Sequence, residues 1–176
     1  EMGDKTQLLA IVLAAAFRKP VPIILGIFVA TVVNHAAAGA VGGWVAQALG
    51  PDLLRWVIGL SFLAMAGWML IPDKIDEEAA GGHQRFGVFG TTVVAFFLAE
   101  MGDKTQIATV ALAARYPDIV QVVLGTTLGM MLANVPAVFL GDRIAKTVSM
   151  QLVHGIAAGI FAILGVLTLF NVGKLF

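Results

Sequence analysis

The 176-residue sequence contains no cysteine and few charged residues. Without cysteine, the chain cannot form a disulfide, offer a thiolate to a metal ion or use a cysteine nucleophile. Charged residues make up 12% of the chain, whereas a soluble domain carries about 25%. Hydrophobic residues make up 59% of the sequence, and its mean hydropathy is +0.93. This composition indicates an integral membrane protein surrounded by the lipid bilayer.

The sequence also lacks features typical of nucleic-acid-binding proteins and of hydrolases. The formal net charge is zero, so nothing indicates a basic surface for nucleic acid, and no nucleic-acid partner is expected. The sequence has no His-Glu-x-x-His motif of metalloproteases and no Gly-x-Ser-x-Gly motif of serine hydrolases. We therefore expect neither an enzyme nor a bound prosthetic group.

One stretch of seven residues occurs twice without change. Glu-Met-Gly-Asp-Lys-Thr-Gln occupies residues 1–7, the first motif, and residues 100–106, the second motif. Both copies are set in apolar sequence, where carboxylates are costly and usually mark an ion or proton path. Salt bridges that merely fasten a helix bundle are the alternative, but packing alone seldom requires a whole repeated string.

Apolar runs predict an all-α protein with six membrane spans, since about 20 apolar residues cross a bilayer. We expect an apolar half-helix, equivalent to about 86–99, ahead of Glu1. Two repeats, 1–71 and 86–176, are separated by a polar linker at 72–85. The predicted spans are 1–17 (the second half of the first span), 22–46, 53–71, 86–114, 119–140 and 152–170.

The two repeats align without a gap through their first two spans when the chain is shifted by 99 positions. Each repeat holds three spans, an odd number, so the second enters the membrane from the opposite side. The sequence therefore predicts two inverted three-helix repeats, a common transporter architecture.

The span after each motif carries small residues at every fourth position. Such a face lets membrane helices approach closely, and we expect these helices to pack on the motif helices. The two stripes are Gly26, Ala30, Asn34, Ala38 and Gly42, and Gly125, Gly129, Ala133, Ala137 and Gly141.

Lysine and arginine outside the motifs predict the orientation, because cytoplasmic loops are enriched in them. The side with more of them is predicted to be cytoplasmic, with the linker, in the plasma (inner) membrane. That side holds Arg18, Lys19, Lys74, Arg85, Arg143 and Lys146, and the other holds Arg55, Arg115 and Lys174.

The motif residues suit a divalent cation. Residues three apart share a helix face, so Glu1 with Asp4, and Glu100 with Asp103, would place four carboxylates between two facing helices. Their oxygens, with the amide oxygens of Gln7 and Gln106, are the hard donors that Ca²⁺, Mg²⁺ and Mn²⁺ prefer. Thr6 and Thr105 would add hydroxyls if the helix were distorted, which Gly3 and Gly102 permit. The four carboxylates carry four negative charges, and Lys5 and Lys104 carry two positive charges. The remaining net charge of −2 would be neutralised by one divalent cation or by two protons.

Three further polar residues lie in the middle of predicted spans: Asn34, His35 and Asn134. Polar side chains there often hydrogen-bond a neighbouring helix. The alternative is a supporting role at the site, as an outer ligand or, for His35, as a proton carrier.

The doubled Glu-x-Gly-Asp-Lys-Thr pattern in a six-span chain resembles the family of bacterial manganese exporters and Golgi calcium/manganese–proton antiporters. The resemblance implies that Glu1, Asp4, Glu100 and Asp103 bind the cation, supported by Lys5, Thr6, Lys104 and Thr105. It also implies export of Mn²⁺ from the cytoplasm in exchange for protons. Ca²⁺ as the cargo is the close alternative, and a passive divalent-cation channel is the alternative from another class.

Overall fold

The computed structural model describes residues 5–71, 86–140 and 150–170 of the chain. The regular elements in this part are seven α-helices, which confirms the predicted all-helical class there. The predicted linker and the first four motif residues, including Glu1 and Asp4, lie outside the described residues. The helices are α1 (Lys5–Phe17), α2 (Pro20–Ala48), α3 (Pro51–Met69), α4 (Gly87–Glu100), α5 (Lys104–Arg115), α6 (Ile119–Leu140) and α7 (Met150–Leu169).

Helices α2, α3 and α6 are each long and apolar enough to cross a membrane. The bounds of α2, α3, α6 and α7 lie within two residues of the predicted spans. Pro20 and Pro51 stand at the start of α2 and α3, where a missing backbone N–H costs nothing. Large apolar side chains such as Leu132, 73% exposed, cover the outer surface, as expected of a protein surrounded by lipid.

The fourth predicted span, 86–114, is wrong as a single helix. It is broken between α4 and α5 at residues 101–103. Met101 and Asp103 have extended backbones, and Gly102 has a φ of +73°, in the left-handed region that suits glycine. Lys104 is the first residue of α5, and the equivalent Lys5 is the first described residue of α1.

Helix α2 is the central helix and packs against α4, α5 and α6. Its small-residue stripe faces the broken motif helix. A Cβ atom on Gly26 would lie 2.7 Å from the Cβ of Thr92 on α4, and one on Gly42 would lie 2.8 Å from the Cβ of Ala113 on α5. The prediction that this stripe packs on a motif helix is therefore confirmed, and the helix concerned is the one that carries the second motif.

The contacts along α2 give the directions of its neighbours. Gly26 lies against Thr92 and Gly42 against Ala113, so α2 runs in the same direction as α4 and α5. Helix α6 runs the opposite way, because the late residue Gly43 lies against Ile119, whereas Pro20 shares a cavity wall with Val138.

Helix α1 runs with α6 and therefore against α5. Gln7 bonds the carbonyl of Ala133, and Ala14, further along α1, lines one cavity with Val138, further along α6. Since α6 opposes α2, and α2 runs with α5, the two helices that follow the two motifs point in opposite directions.

Helices α3 and α7 form a pair beside α5. Gly59 and Gly165 allow their close approach, and the rings of Phe62 and Phe161 lie 5.9 Å apart. Ile58 and Phe62 of α3 also join a buried cluster with Ala111 of α5. The pair thus covers the side of α5 that α2 does not.

Candidate functional site

The break in the second motif separates two buried carboxylates. Glu100 is the last residue of α4 and is 1% exposed, while Asp103 precedes α5 and is 2% exposed. The two residues do not share one continuous helix face, as the sequence had suggested, because the chain leaves the helix between them. Their side chains instead lie at the facing ends of two half-helices, a common construction for cation sites in membrane transporters.

Glu100 is held by helix α2. Thr31 Oγ1 donates a hydrogen bond of 2.9 Å to Glu100 Oε1, and Asn34 Nδ2 donates one of 3.0 Å to Glu100 Oε2. Asn34 Nδ2 also lies 3.2 Å from the carbonyl oxygen of Phe97, one turn earlier on α4. Asn34 was among the predicted supporting residues, but Thr31 was not. The sequence feature that could have identified Thr31 was its position three residues before Asn34, on the same helix face.

Asp103 contacts the first motif. Lys5 Nζ lies 3.7 Å from Asp103 Oδ1, an ion pair that joins residue 5 of one copy to residue 103 of the other. The second carboxylate oxygen, Asp103 Oδ2, is buried and has no hydrogen-bond partner in the described part of the chain. One carboxylate oxygen of Asp103 therefore lies near the ammonium group of Lys5, and the other makes no hydrogen bond within the described part of the chain.

The first motif is anchored to α6. Gln7 Nε2 donates a hydrogen bond of 3.1 Å to the carbonyl oxygen of Ala133, a member of the second small-residue stripe. Thr6 is fully buried, and its hydroxyl has no hydrogen-bond partner among residues 5–71, 86–140 and 150–170.

The second stripe is only partly covered. Ala133 and Ala137 are buried, whereas Gly125 and Gly129 are exposed, and no described atom would lie within 4 Å of a Cβ added to either glycine. Gly141 lies outside the described residues. The expected packing of this stripe on the first motif helix is thus seen at Ala133.

Two other residues of the second motif make contacts away from the carboxylates: Gln106 at the break, and Lys104 just after α3. Gln106 Oε1 accepts a hydrogen bond of 2.8 Å from the backbone N–H of Gly102 and so stabilises the break. Lys104 is 3% exposed, and its Nζ lies 3.4 Å from the carbonyl oxygen of Ile71, after α3. Lys104 and Thr105 also line a cavity of about 190 Å³ with Met65 and Phe161.

His35 and Asn134 are both buried, at equivalent positions on α2 and α6. Neither ring nitrogen of His35 has a hydrogen-bond partner within the described ranges. Asn134 Nδ2 bonds the carbonyl of Met130 on its own helix, and its Oδ1 is likewise without a described partner. Buried polar groups are usually paired, so these atoms are donors and acceptors that the described helix packing does not use.

The described residues hold half of the predicted carboxylate ligands. Glu100 and Asp103 are present with Lys5 beside them, whereas Glu1 and Asp4 lie outside the described ranges. In keeping with this, no group of three or more acidic, histidine or cysteine side chains that could hold a metal occurs within the described part. The hard carboxylate oxygens of Glu100 and Asp103 nevertheless have the chemistry that a divalent cation prefers.

Comparison with known proteins identifies the family. The family model described as "Divalent cation/proton antiporter GDT1" matches residues 1–77 and 88–174. A Vibrio cholerae protein described as "Putative manganese exporter" is 51% identical over 171 residues, 97% of this chain and 84% of that protein. "GDT1-like protein 3" of Oryza sativa subsp. indica is 28% identical over 188 residues, 92% of this chain and 66% of that protein. No solved structure matches the chain significantly. The chain therefore belongs to the GDT1 family of divalent cation/proton antiporters, a family of transporters and not of enzymes.

Proposed function

We propose that the chain exports Mn²⁺ from the cytoplasm in exchange for protons, at one site built from both motifs. The observation that carries this proposal is the ion pair of Lys5 with Asp103, 3.7 Å long, which brings the two motif copies together beside the buried Glu100. Carboxylates inside an apolar helix bundle are costly and are characteristic of ion pathways.

In this proposal the cation is bound by carboxylate oxygens from both repeats. Glu1, Asp4, Glu100 and Asp103 are the ligands, and Gln7 with Gln106 contribute amide oxygens. Gln106 Oε1 already accepts the Gly102 N–H, but an amide oxygen has a second lone pair. Protons compete with the metal for the same carboxylate oxygens, so release of one favours binding of the other.

Three groups of residues support the site from outside the ligand set. Lys5 and Lys104 balance charge, although the contact of Lys104 with the carbonyl of Ile71 directs its ammonium group toward α3. Thr6 and Thr105 offer hydroxyls next to the motif lysines. The polar side chains of α2 and α6 form the third group: Asn34, His35 and Asn134.

An inverted repeat would expose this site to each side of the membrane in turn. The opposite directions of α1 and α5 support such a repeat, since these helices follow the two motif copies. The assignment of residues 1–71 and 86–176 as repeats, with a cytoplasmic linker at 72–85 in the inner membrane, is part of the proposal.

Mn²⁺ is preferred over Ca²⁺ as the cargo because the Vibrio cholerae relative is described as a manganese exporter. Ligand chemistry discriminates poorly between them, since both ions accept six oxygen ligands. Ca²⁺ is therefore the alternative cargo and belongs in the same experiment.

The test is transport into proteoliposomes containing the purified protein. An imposed proton gradient should drive Mn²⁺ against its own gradient, and a protonophore should abolish this uptake. Glu100→Gln should lose the driven flux, because it removes both a ligand and a proton acceptor. Mn²⁺ flux that ignores the proton gradient would instead indicate a channel, and driven uptake of Ca²⁺ but not Mn²⁺ would reassign the cargo.

A further inference from the structure

Glu100 is the most completely fixed carboxylate in the described part of the chain. Each of its oxygens accepts a hydrogen bond from a different side chain of α2, from Thr31 at 2.9 Å and from Asn34 at 3.0 Å. All three residues are at most 1% exposed. The two donors stand one turn apart on α2, so they hold the planar carboxylate group at both of its oxygens.

Asn34 ties the same helix to the backbone beside the break. Its Nδ2 atom also lies 3.2 Å from the carbonyl oxygen of Phe97, in the last turn of α4. The same carbonyl accepts the backbone N–H of Met101 at 3.2 Å, so Asn34 adds a second hydrogen bond at the end of α4. The amide of Asn34 therefore stabilises both the end of α4 and the side chain that projects from it.

The equivalent positions on α6 cannot do this. A shift of 99 residues places Met130 at the position of Thr31 and Ala133 at that of Asn34. Neither side chain donates a hydrogen bond. The two motifs are identical in sequence, but the helices on which they pack provide different surroundings.

We propose that Thr31 and Asn34 are positioning residues of the transport site, which hold Glu100 in the orientation that binds the cation. The second motif is then the pre-organised half of the site. This inference rests on the proposed function, because it assigns the two residues a role toward the same cargo. Fixing a ligand before binding lowers the ordering cost of binding, so the effect is expected mainly on apparent affinity.

Asp103 provides the contrast within the same motif. Its Oδ1 atom lies 3.7 Å from Lys5 Nζ, and its Oδ2 atom has no hydrogen-bond partner among the described residues. Asp103 thus keeps an oxygen that adjusts to the ion, whereas Glu100 is held by α2.

The experiment measures the KM and maximal rate of proton-driven Mn²⁺ uptake. Thr31→Val keeps the shape but removes the donor, and Asn34→Ala removes the amide. Each should raise KM by about 10-fold, because one hydrogen bond to a charged group typically contributes about that factor to affinity. The maximal rate should change less. Thr31→Ser restores the hydroxyl and should return KM to within about twofold of wild type.

Two variants serve as matched controls. Thr92→Val removes a buried hydroxyl that bonds a carbonyl of its own helix, Val88 O at 2.8 Å. Met130→Leu changes the position equivalent to Thr31 while conserving volume. Both should leave KM unchanged. A wild-type KM in Thr31→Val, or a Thr31→Ser variant as impaired as Thr31→Val, would overturn the inference.

A second measurement separates this inference from the proposed function. If the wild-type protein shows no gradient-driven Mn²⁺ flux, the proposed function fails. The contact itself is then tested by a double-mutant cycle of Thr31→Val and Glu100→Gln, read from thermal melting of the purified protein. Non-additive melting shifts would uphold the Thr31–Glu100 interaction, and additive shifts would refute it.

Discussion

At the scale of single residues, the two described carboxylates of the second motif are equally buried but differently surrounded. Glu100 accepts two side-chain hydrogen bonds, and Asp103 faces the ammonium group of Lys5. A buried charge is tolerated only when it is paired and hydrogen-bonded. The first motif thus supplies the cation beside Asp103, while α2 supplies the donors to Glu100.

The charge of Asp103 should be essential for transport. Asp103→Asn preserves the size of the side chain but leaves Lys5 facing a neutral amide and removes a proposed ligand of the cargo. Removing one partner of a buried charge pair costs about 2–5 kcal/mol, so Mn²⁺ uptake should fall by about 30-fold or more. Initial uptake rates in proteoliposomes measure this.

The control for this change is Asp52→Asn. Asp52 is a carboxylate with a side chain 94% exposed, and it lies 4.0 Å from Arg55. Surface pairs of this kind contribute little, so the control should transport as wild type does. Wild-type uptake by a folded Asp103→Asn protein would remove Asp103 from the proposed ligand set.

At the scale of elements, the break between α4 and α5 decides where the motif side chains lie. Helix periodicity would have placed Glu100, Asp103 and Gln106 along one face of a continuous span. The left-handed Gly102 separates them, and Gln106 closes the break through the Gly102 N–H. The half-helix α5 then begins beside Asp103, where the positive end of its dipole attracts negative charge.

Gly102 should tolerate only residues that adopt a left-handed backbone. Its φ is +73°, and no described atom lies within 4 Å of a Cβ added there, so the cost of substitution comes from the backbone alone. Gly102→Ala should lose about 1–2 kcal/mol of stability and most of its transport, whereas Gly102→Asn should retain more of both. Thermal melting and Mn²⁺ uptake measure the two effects.

Gly67→Ala is the matched control for this prediction. Gly67 also has no described atom within 4 Å of an added Cβ, but it lies within helix α3 with an ordinary backbone. The Gly67→Ala protein should melt at the wild-type temperature or slightly above it, because alanine favours helices. If Gly102→Ala behaved in the same way, the left-handed conformation would not matter for the site.

At the scale of the whole molecule, the directions of the helices support an inverted arrangement. Helices α1 and α5 follow the two motifs and oppose each other, and α2 and α6 oppose each other as well. The loops at Lys19 and Pro117 occupy nearly equivalent positions in the two repeats. An inverted repeat places them on opposite sides of the membrane.

Labelling of single cysteines tests this topology on an otherwise cysteine-free chain. A membrane-impermeant thiol reagent added to intact cells should label Pro117→Cys and not Lys19→Cys, since the proposed orientation places the arginine- and lysine-rich side in the cytoplasm. Permeabilised cells, the control for reactivity, should label both. Labelling of both positions in intact cells would contradict the inverted repeat.

The sequence by itself determined the helical class, the bounds of α2, α3, α6 and α7, and the small-residue face of α2. These features follow from local composition and periodicity, which act over a few turns of helix. The doubled motif likewise identified Glu100, Asp103 and Lys5 as a group, because carboxylates in apolar sequence are too costly to be incidental.

Only the tertiary structure decided how that group is arranged. The break at Gly102 was permitted by the sequence but not required by it, since glycine also occurs inside helices, as Gly67 does in α3. The donors to Glu100 come from Thr31 and Asn34, 69 and 66 positions away, and local periodicity carries no information about partners at that separation. That Glu100 receives such donors depends on the helix that packs against it, and that is a property of the folded chain.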